Sequence, residues 1–117
     1  MGNKVVHFEV LGKDGKKLQD FYSQLFGWSI DANNPMSYGM VSDADAGIGG
    51  GIAASQDGAG VVTVYVEVED LAAALSKAEG LGGKTIMASM DVPGGPTIAA
   101  FADPEGNTIG LVKAGSG

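Results

Sequence analysis

The apolar positions at the start of the chain lie in a run rich in β-formers, residues 4–11, that predicts a strand. A helical period follows. Leu18, Phe21, Tyr22, Leu25 and Phe26 fall at i, i+3, i+4, i+7 and i+8, which predicts an amphipathic helix, with Asp14 as its N-cap and Gly27 as its stop. This apolar stripe is expected to pack on a sheet. Short β-rich runs follow at 28–31, 38–42 and 48–54, separated by an Asn33-Asn34-Pro35 turn and an Asp/Ala/Gly turn. Residues 55–60 are polar and glycine-rich and read as a link.

The same order then recurs. Residues 61–68 form a second strand of strong β-formers. Asp70 caps a helix whose apolar face is Leu71, Ala74, Leu75, Ala78 and Leu81, and Gly82-Gly83 ends it. Strands are predicted at 84–88, 97–102 and 108–113, the last two around an Asp103-Pro104-Glu105-Gly106-Asn107 turn. Arithmetic supports a repeat. At an offset of 56, Val5-Val6 matches Val61-Val62, His7 matches Thr63, Asp14 matches Asp70, and Gly27 matches Gly83; later the offset drifts to 60, pairing Asp43 with Asp103 and Gly50 with Gly110. The expected architecture is α+β: two βαβββ modules, about 4–54 and 61–113, in a single 1–117 domain. Their curved mixed sheets enclose a cavity, with the helices outside.

Charge narrows the functions. Seven lysines face fourteen acidic residues and arginine is absent, giving −7. Nucleic acid and anionic membranes are poor partners for such a chain, and no guanidinium clamp on a phosphate or carboxylate is possible. The absence of cysteine removes disulfides, thiolate nucleophiles and thiolate metal sites. No apolar run approaches the ~18 residues of a membrane span, and the amino end lacks a signal-peptide pattern, so a cytoplasmic location is expected.

The strand–helix–three-strand order taken twice, a histidine in the first strand, Phe21-Tyr22 followed by Leu25-Phe26-Gly27-Trp28, and the closing Asp103-Pro104-Glu105-Gly106-Asn107 turn together resemble the glyoxalase / bleomycin-resistance / extradiol-dioxygenase superfamily, also called vicinal oxygen chelate. The match runs through nearly the whole chain. The resemblance implies a divalent metal held by His and Glu ligands, one each from the first, fourth, fifth and eighth strands. Carried across, these positions are His7, a residue near Gly50, Thr63 and Gly110. Only His7 is a competent ligand. The sequence therefore resembles the metal-less branch, with no metal and no cofactor expected. Metal-dependent glyoxalase or dioxygenase activity is not expected, since the metal set is missing and so is arginine, a basic group for the glutathione carboxylates.

Strand alternation and the offset pairing suggest what lines the cavity: His7, Glu9, Tyr38, Met40, Gly50, Ile52, Thr63, Tyr65, Glu67, Ile98 and Gly110. This is a mixed apolar and aromatic cup with a few polar groups, suited to a small molecule. His7 has three readings: a general base beside Glu9, a hydrogen-bond partner of a ligand, or a structural histidine. Trp28 either lines the pocket or seals the helix against the sheet. The leading expectation is a protein that binds an apolar or aromatic compound, including a cationic antibiotic drawn by Glu9 and Glu67. The alternative is a metal-independent lyase or isomerase with His7 as base. The resemblance also implies a homodimer.

Overall fold

The computed structural model describes residues 2–117. The chain divides into two compact units, one of Val6–Thr63 and one formed by Val64–Gly117 with the residues through Val5. Lys4 and Asn3 join the second unit by hydrogen bonds: Glu67 N donates to Lys4 O at 2.9 Å, and Asn3 Nδ2 donates to Glu67 O at 2.9 Å. The fold is α+β, and each unit contributes one helix of three turns or so and a mixed four-stranded sheet.

The amino-terminal unit runs β1 (Val5–Gly12), α1 (Gly15–Phe26), β2 (Ile30–Asp31), β3 (Gly39–Val41), α2 (Asp43–Ala46) and β4 (Gly49–Ala54). Its sheet order is β2-β3-β4-β1, with β4 parallel to β1 and the other pairs antiparallel. The four-residue α2 stands where only a turn was expected. Ser42 caps it, its Oγ accepting from Ala44 N. The predicted caps of α1 are present: Asp14 Oδ1 accepts from Lys17 N at 3.1 Å, and Gly27 takes the left-handed φ of 74° that closes a helix.

The face of α1 corrects the sequence reading. Phe21, Leu25 and Phe26, expected in the helix–sheet core, are 56 %, 57 % and 56 % exposed, and the buried residue of α1 is Gln19. The cause lies at the start of the helix. Gly15 is pressed so close to β4 that a Cβ there would meet Ala54 N at 2.6 Å. That approach turns the 15–19–22 row toward the sheet and rolls Phe21 and Leu25 outward.

The chain continues through β5 (Val61–Val68), which enters the carboxyl-terminal unit at Val64, then α3 (Leu71–Gly80), β6 (Lys84–Asp91), β7 (Thr97–Ala102) and β8 (Thr108–Lys113), in sheet order β5-β8-β7-β6. β5 and β8 are parallel; the other pairs are antiparallel. β6 runs three residues beyond its predicted end because register shifts let it follow β7 past Met87. Asp70 caps α3 as expected, accepting from Ala73 N at 3.0 Å. The core is Leu71, Leu75, Ala99 and Leu111, flanked by Val66, Val68, Ala74 and Phe101, so α3 buries its apolar face on the β7–β8 side of the sheet.

Candidate functional site

Register decides which residues share a face. In the amino-terminal unit His7 lies opposite Gly49, Phe8 opposite Gly50, Glu9 opposite Gly51 and Val10 opposite Ile52. Laterally paired residues point to the same side of a sheet. Two faces follow. Phe8, Gly50 and Ile52 look toward α1. His7, Glu9, Gly51 and Met40, the partner of Gly51 on β3, look away from it.

The sequence grouped Gly50 and Ile52 with His7; the structure places them on the helix side. Ile52 is fully buried there. A Cβ on Gly50 would run into the ring of Phe8. Trp28 stacks in the same aromatic cluster, 5.5 Å from Phe8, 6.2 Å from Tyr22 and 5.0 Å from Phe26, so of its two readings it takes the sealing one. The error is one residue: in the repeat, Gly51 and not Gly50 answers to Gly110, because Gly51 pairs with Glu9 and Met40 while Gly110 pairs with Tyr65 and Ala100.

On the other face three side chains meet. The Tyr38 hydroxyl donates to Glu9 Oε2 at 2.8 Å and lies 2.9 Å from His7 Nε2. The His7 and Tyr38 rings are near parallel, 14° apart, with centroids at 6.3 Å. The Tyr38 ring covers Gly51, in the space that any side chain there would need. All three residues are half-buried, and Met40 beside them is 48 % exposed. A tyrosine hydroxyl has one proton, so a bond given to Glu9 requires His7 Nε2 to carry a hydrogen and donate to Tyr38. Burial pushes the His7 imidazole below its ordinary value of 6.5, against the opposing pull of the Glu9 carboxylate, so the ring is neutral at pH 7. A neutral imidazole of this tautomer can accept a proton or a hydrogen bond at Nδ1, and its cation would be stabilised through Tyr38 by Glu9.

Of the remaining predicted residues, Tyr65, Glu67, Ile98 and Gly110 share one face of the carboxyl-terminal sheet. Tyr65 is opposite Gly110, Glu67 opposite Val112 and Val112 opposite Ile98. By strand alternation Thr63 points to the same side of β5 as Tyr65. Glu67 is exposed and Thr63 half-buried. A cavity of about 370 Å³ lies elsewhere, between α3 and its sheet, lined chiefly by Val66, Ala74, Ala78, Leu81, Phe101 and Leu111. It is apolar, and the convergent polar groups are at His7 instead.

The ligand positions implied by the resemblance do not suit a divalent ion. A ring stands over each glycine: Phe8 over Gly50, Tyr38 over Gly51 and Tyr65 over Gly110. Threonine is a weak neutral ligand, and the Nε2 of the single imidazole is turned to a hydroxyl. Among the described residues no three His, Cys, Asp or Glu side chains gather as a metal site. No helix among them is long and apolar enough to cross a membrane.

Comparisons with known proteins agree with this fold. The family model described as Glyoxalase/Bleomycin resistance protein/Dioxygenase superfamily matches residues 4–111. The chain is 29 % identical to the anthracycline biosynthesis protein DnrV of Streptomyces peucetius, over 92 % of this chain and 46 % of that protein. It spans less than half the length of the curated relatives it matches. Among solved structures it resembles the hypothetical protein BH1468 from Bacillus halodurans C-125, at TM-score 0.70 and 13 % identity over 97 % of this chain and 95 % of that one. It also resembles methylmalonyl-CoA epimerase from Mycobacterium tuberculosis, at TM-score 0.66 and 15 % identity over 93 % and 86 %. At such identities the structural likeness shows the fold alone.

Proposed function

We propose, from the premise that this chain belongs to the Glyoxalase/Bleomycin resistance protein/Dioxygenase superfamily, that it binds a small apolar or aromatic compound, without a metal ion, on the face that carries His7, Glu9 and Tyr38. The observation that carries the reading is the Glu9–Tyr38–His7 chain of hydrogen bonds, 2.8 Å and 2.9 Å long, beside exposed Met40. A carboxylate next to two aromatic rings suits a cationic compound, since rings and carboxylate attract the same charge. The acidic balance of the chain, −7, points the same way. On the carboxyl-terminal sheet, Tyr65, Glu67, Ile98 and Gly110 share one face, with Thr63 on the same side of β5, and that face is proposed in its own right as ligand-contacting. A cytoplasmic homodimer is the proposed working form.

Thermal-shift screening of aromatic cations, neutral aromatics and aromatic acids tests the reading, followed by calorimetry with Glu9→Gln and Tyr38→Phe. Binding of a cation that weakens with salt and falls at least about tenfold in Glu9→Gln is expected. A library in which no member stabilises the chain, or binding indifferent to both substitutions, overturns it.

A second reading is a metal-independent lyase or isomerase with His7 as general base. It is favoured by the burial that keeps His7 neutral and by the Tyr38–Glu9 pair positioned to stabilise its cation. Once a substrate is found, His7→Ala that leaves turnover intact removes it.

A further inference from the structure

The backbone that carries Tyr38 is braced from two directions. Asn34 grips the Tyr38 backbone at both ends: Nδ2 donates to Tyr38 O at 2.7 Å, and Oδ1 accepts from Tyr38 N at 2.9 Å. Ser37 N donates to Asn34 O at 3.0 Å and closes the turn. Ser37 has a φ of 52°, the one positive value at a non-glycine among the described residues, a conformation that a side-chain-bearing residue seldom adopts. From the helix side, Gln19 reaches in. Its Nε2 donates to Ser37 O at 3.0 Å and to Ile52 O at 2.8 Å. Gly39, next along, leaves no room for a side chain: a Cβ there would meet Ile52 O at 2.7 Å and Gln19 Nε2 at 2.8 Å.

Gln19 is the one buried polar side chain among the described residues, 7 % exposed. An amide in a helix–sheet interface must be hydrogen-bonded to be tolerated, whereas an apolar side chain packs there without that requirement. Its two bonds tie the turn to β4 through carbonyls on either side.

We propose that Gln19 and Asn34 are positioning residues that hold the Tyr38 hydroxyl between Glu9 and His7, fix the imidazole as its Nε2–H tautomer, and so make the face an accepting one. Both protons of the chain are spent inside it, His7 Nε2–H on Tyr38 and Tyr38 O–H on Glu9. What His7 Nδ1 and the Glu9 carboxylate offer to any further neighbour is acceptor capacity. A ligand that complements them brings N–H donors, as a protonated amine does. A carboxylate or phosphate group meets acceptors and a like charge. Fixing this polarity before the ligand arrives removes an ordering cost from binding. The last step rests on the ligand-binding reading above; the braced tautomer is a property of the free protein.

The chain has a single histidine, so imidazole 15N resonances report His7 alone. The full chain is studied above the pKa of His7 as wild type, Tyr38→Phe, Gln19→Met and Asn34→Ala. The wild type is expected to be mainly Nε2–H. Loss of the hydroxyl acceptor in Tyr38→Phe is expected to shift the tautomer ratio roughly fivefold, the weight of one ordinary hydrogen bond. Gln19→Met and Asn34→Ala are expected to shift it in the same direction while the amide spectrum stays folded. A wild-type ratio in both positioning variants overturns the proposal. If Gln19→Met fails to fold, Asn34→Ala decides alone. Benzylammonium and benzoate, matched in size, then probe the face by calorimetry. Preference for benzylammonium, reduced in Asn34→Ala, supports the accepting face, and preference for benzoate overturns it. Shifted tautomers with neither probe bound uphold the positioning role and count against the ligand reading instead.

Discussion

Gly110→Glu puts back, on paper, the carboxylate that the resemblance places on the last strand of the metal enzymes. The structure predicts damage instead of a metal site. Gly110 is buried, with Tyr65 opposite it on β5 and Ala100 opposite it on β7. A Cβ there overlaps the Tyr65 ring, and even Tyr65 Cγ would lie only 2.9 Å away. Because the crowded atoms include the root of the ring, the tyrosine cannot yield by moving its tip; it must change χ1 or the strands must part. Overpacking of this kind costs about 1–3 kcal/mol. A carboxylate brought into a buried position without prepared donors adds roughly 1–3 kcal/mol. The sum, about 2–6 kcal/mol, is a large part of the ~5–15 kcal/mol by which a domain is ordinarily stable. Urea unfolding followed by far-UV circular dichroism measures it, with Gly110→Ala separating the steric part, expected at about 1–3 kcal/mol. Adding Zn²⁺, Ni²⁺ or Mn²⁺ should not rescue Gly110→Glu. A variant within ~0.5 kcal/mol of wild type, within the usual scatter of surface substitutions, or one whose urea midpoint is raised to the wild-type value by a divalent metal, would refute the argument that the Tyr65 ring owns this space.

Other expectations are simpler. His7 has a folded pKa below its unfolded value near 6.5, so the unfolded chain binds the proton more readily; stability is full above that value and declines as pH falls through the window beneath it, a slope that His7→Gln should flatten in unfolding series. Asp103 is held below the usual carboxylate range by the Asn107 side chain first, then by backbone N–H groups of its own turn; its contribution is present above the unfolded value and is lost as pH drops through the folded one, so Asp103→Asn should blunt the acid end of the same curve. Ile52→Ala removes a fully buried side chain and should cost about 2–5 kcal/mol in urea unfolding. Gly27→Ala meets no steric neighbour but forces alanine to a φ of 74°; a loss of about 1 kcal/mol is expected, and no loss would mean the helix end relaxes to another cap.

Much of the candidate site is legible in the sequence. His7, Glu9, Tyr38 and Met40 were grouped by alternation and by the repeat, and the structure brings them onto one face. Gly51, Gln19 and Asn34 do not stand out as part of it. The run Gly49-Gly50-Gly51 has no side chains to reveal its parity, so pairing could slip by one residue unnoticed. Gln19 sits beside apolar positions in a stripe that looked complete without it. For Asn34 a signal existed: the Asn33-Asn34-Pro35 turn was recognised, though not that Asn34 grips Tyr38.

Short-range chemistry dictates the doubled strand–helix–three-strand order, the caps at Asp14 and Asp70, the glycine stop at Gly27, and the Asp103–Asn107 turn in which one carboxylate accepts from its own loop. Each depends on neighbours within a few residues, which are always close. Tertiary structure alone decided the rest. A shift of one residue in the β1–β4 register sends Gly50 and Ile52 to the helix side and brings Gly51 beneath Tyr38, because side chains alternate along a strand. The close seat of Gly15 on β4 rolls α1 so that an amide, and not a phenylalanine, points inward. Residues 29 and 31 positions apart in the chain, Glu9 with Tyr38 and His7 with Tyr38, become a hydrogen-bonded set only when that register and that helix setting hold together.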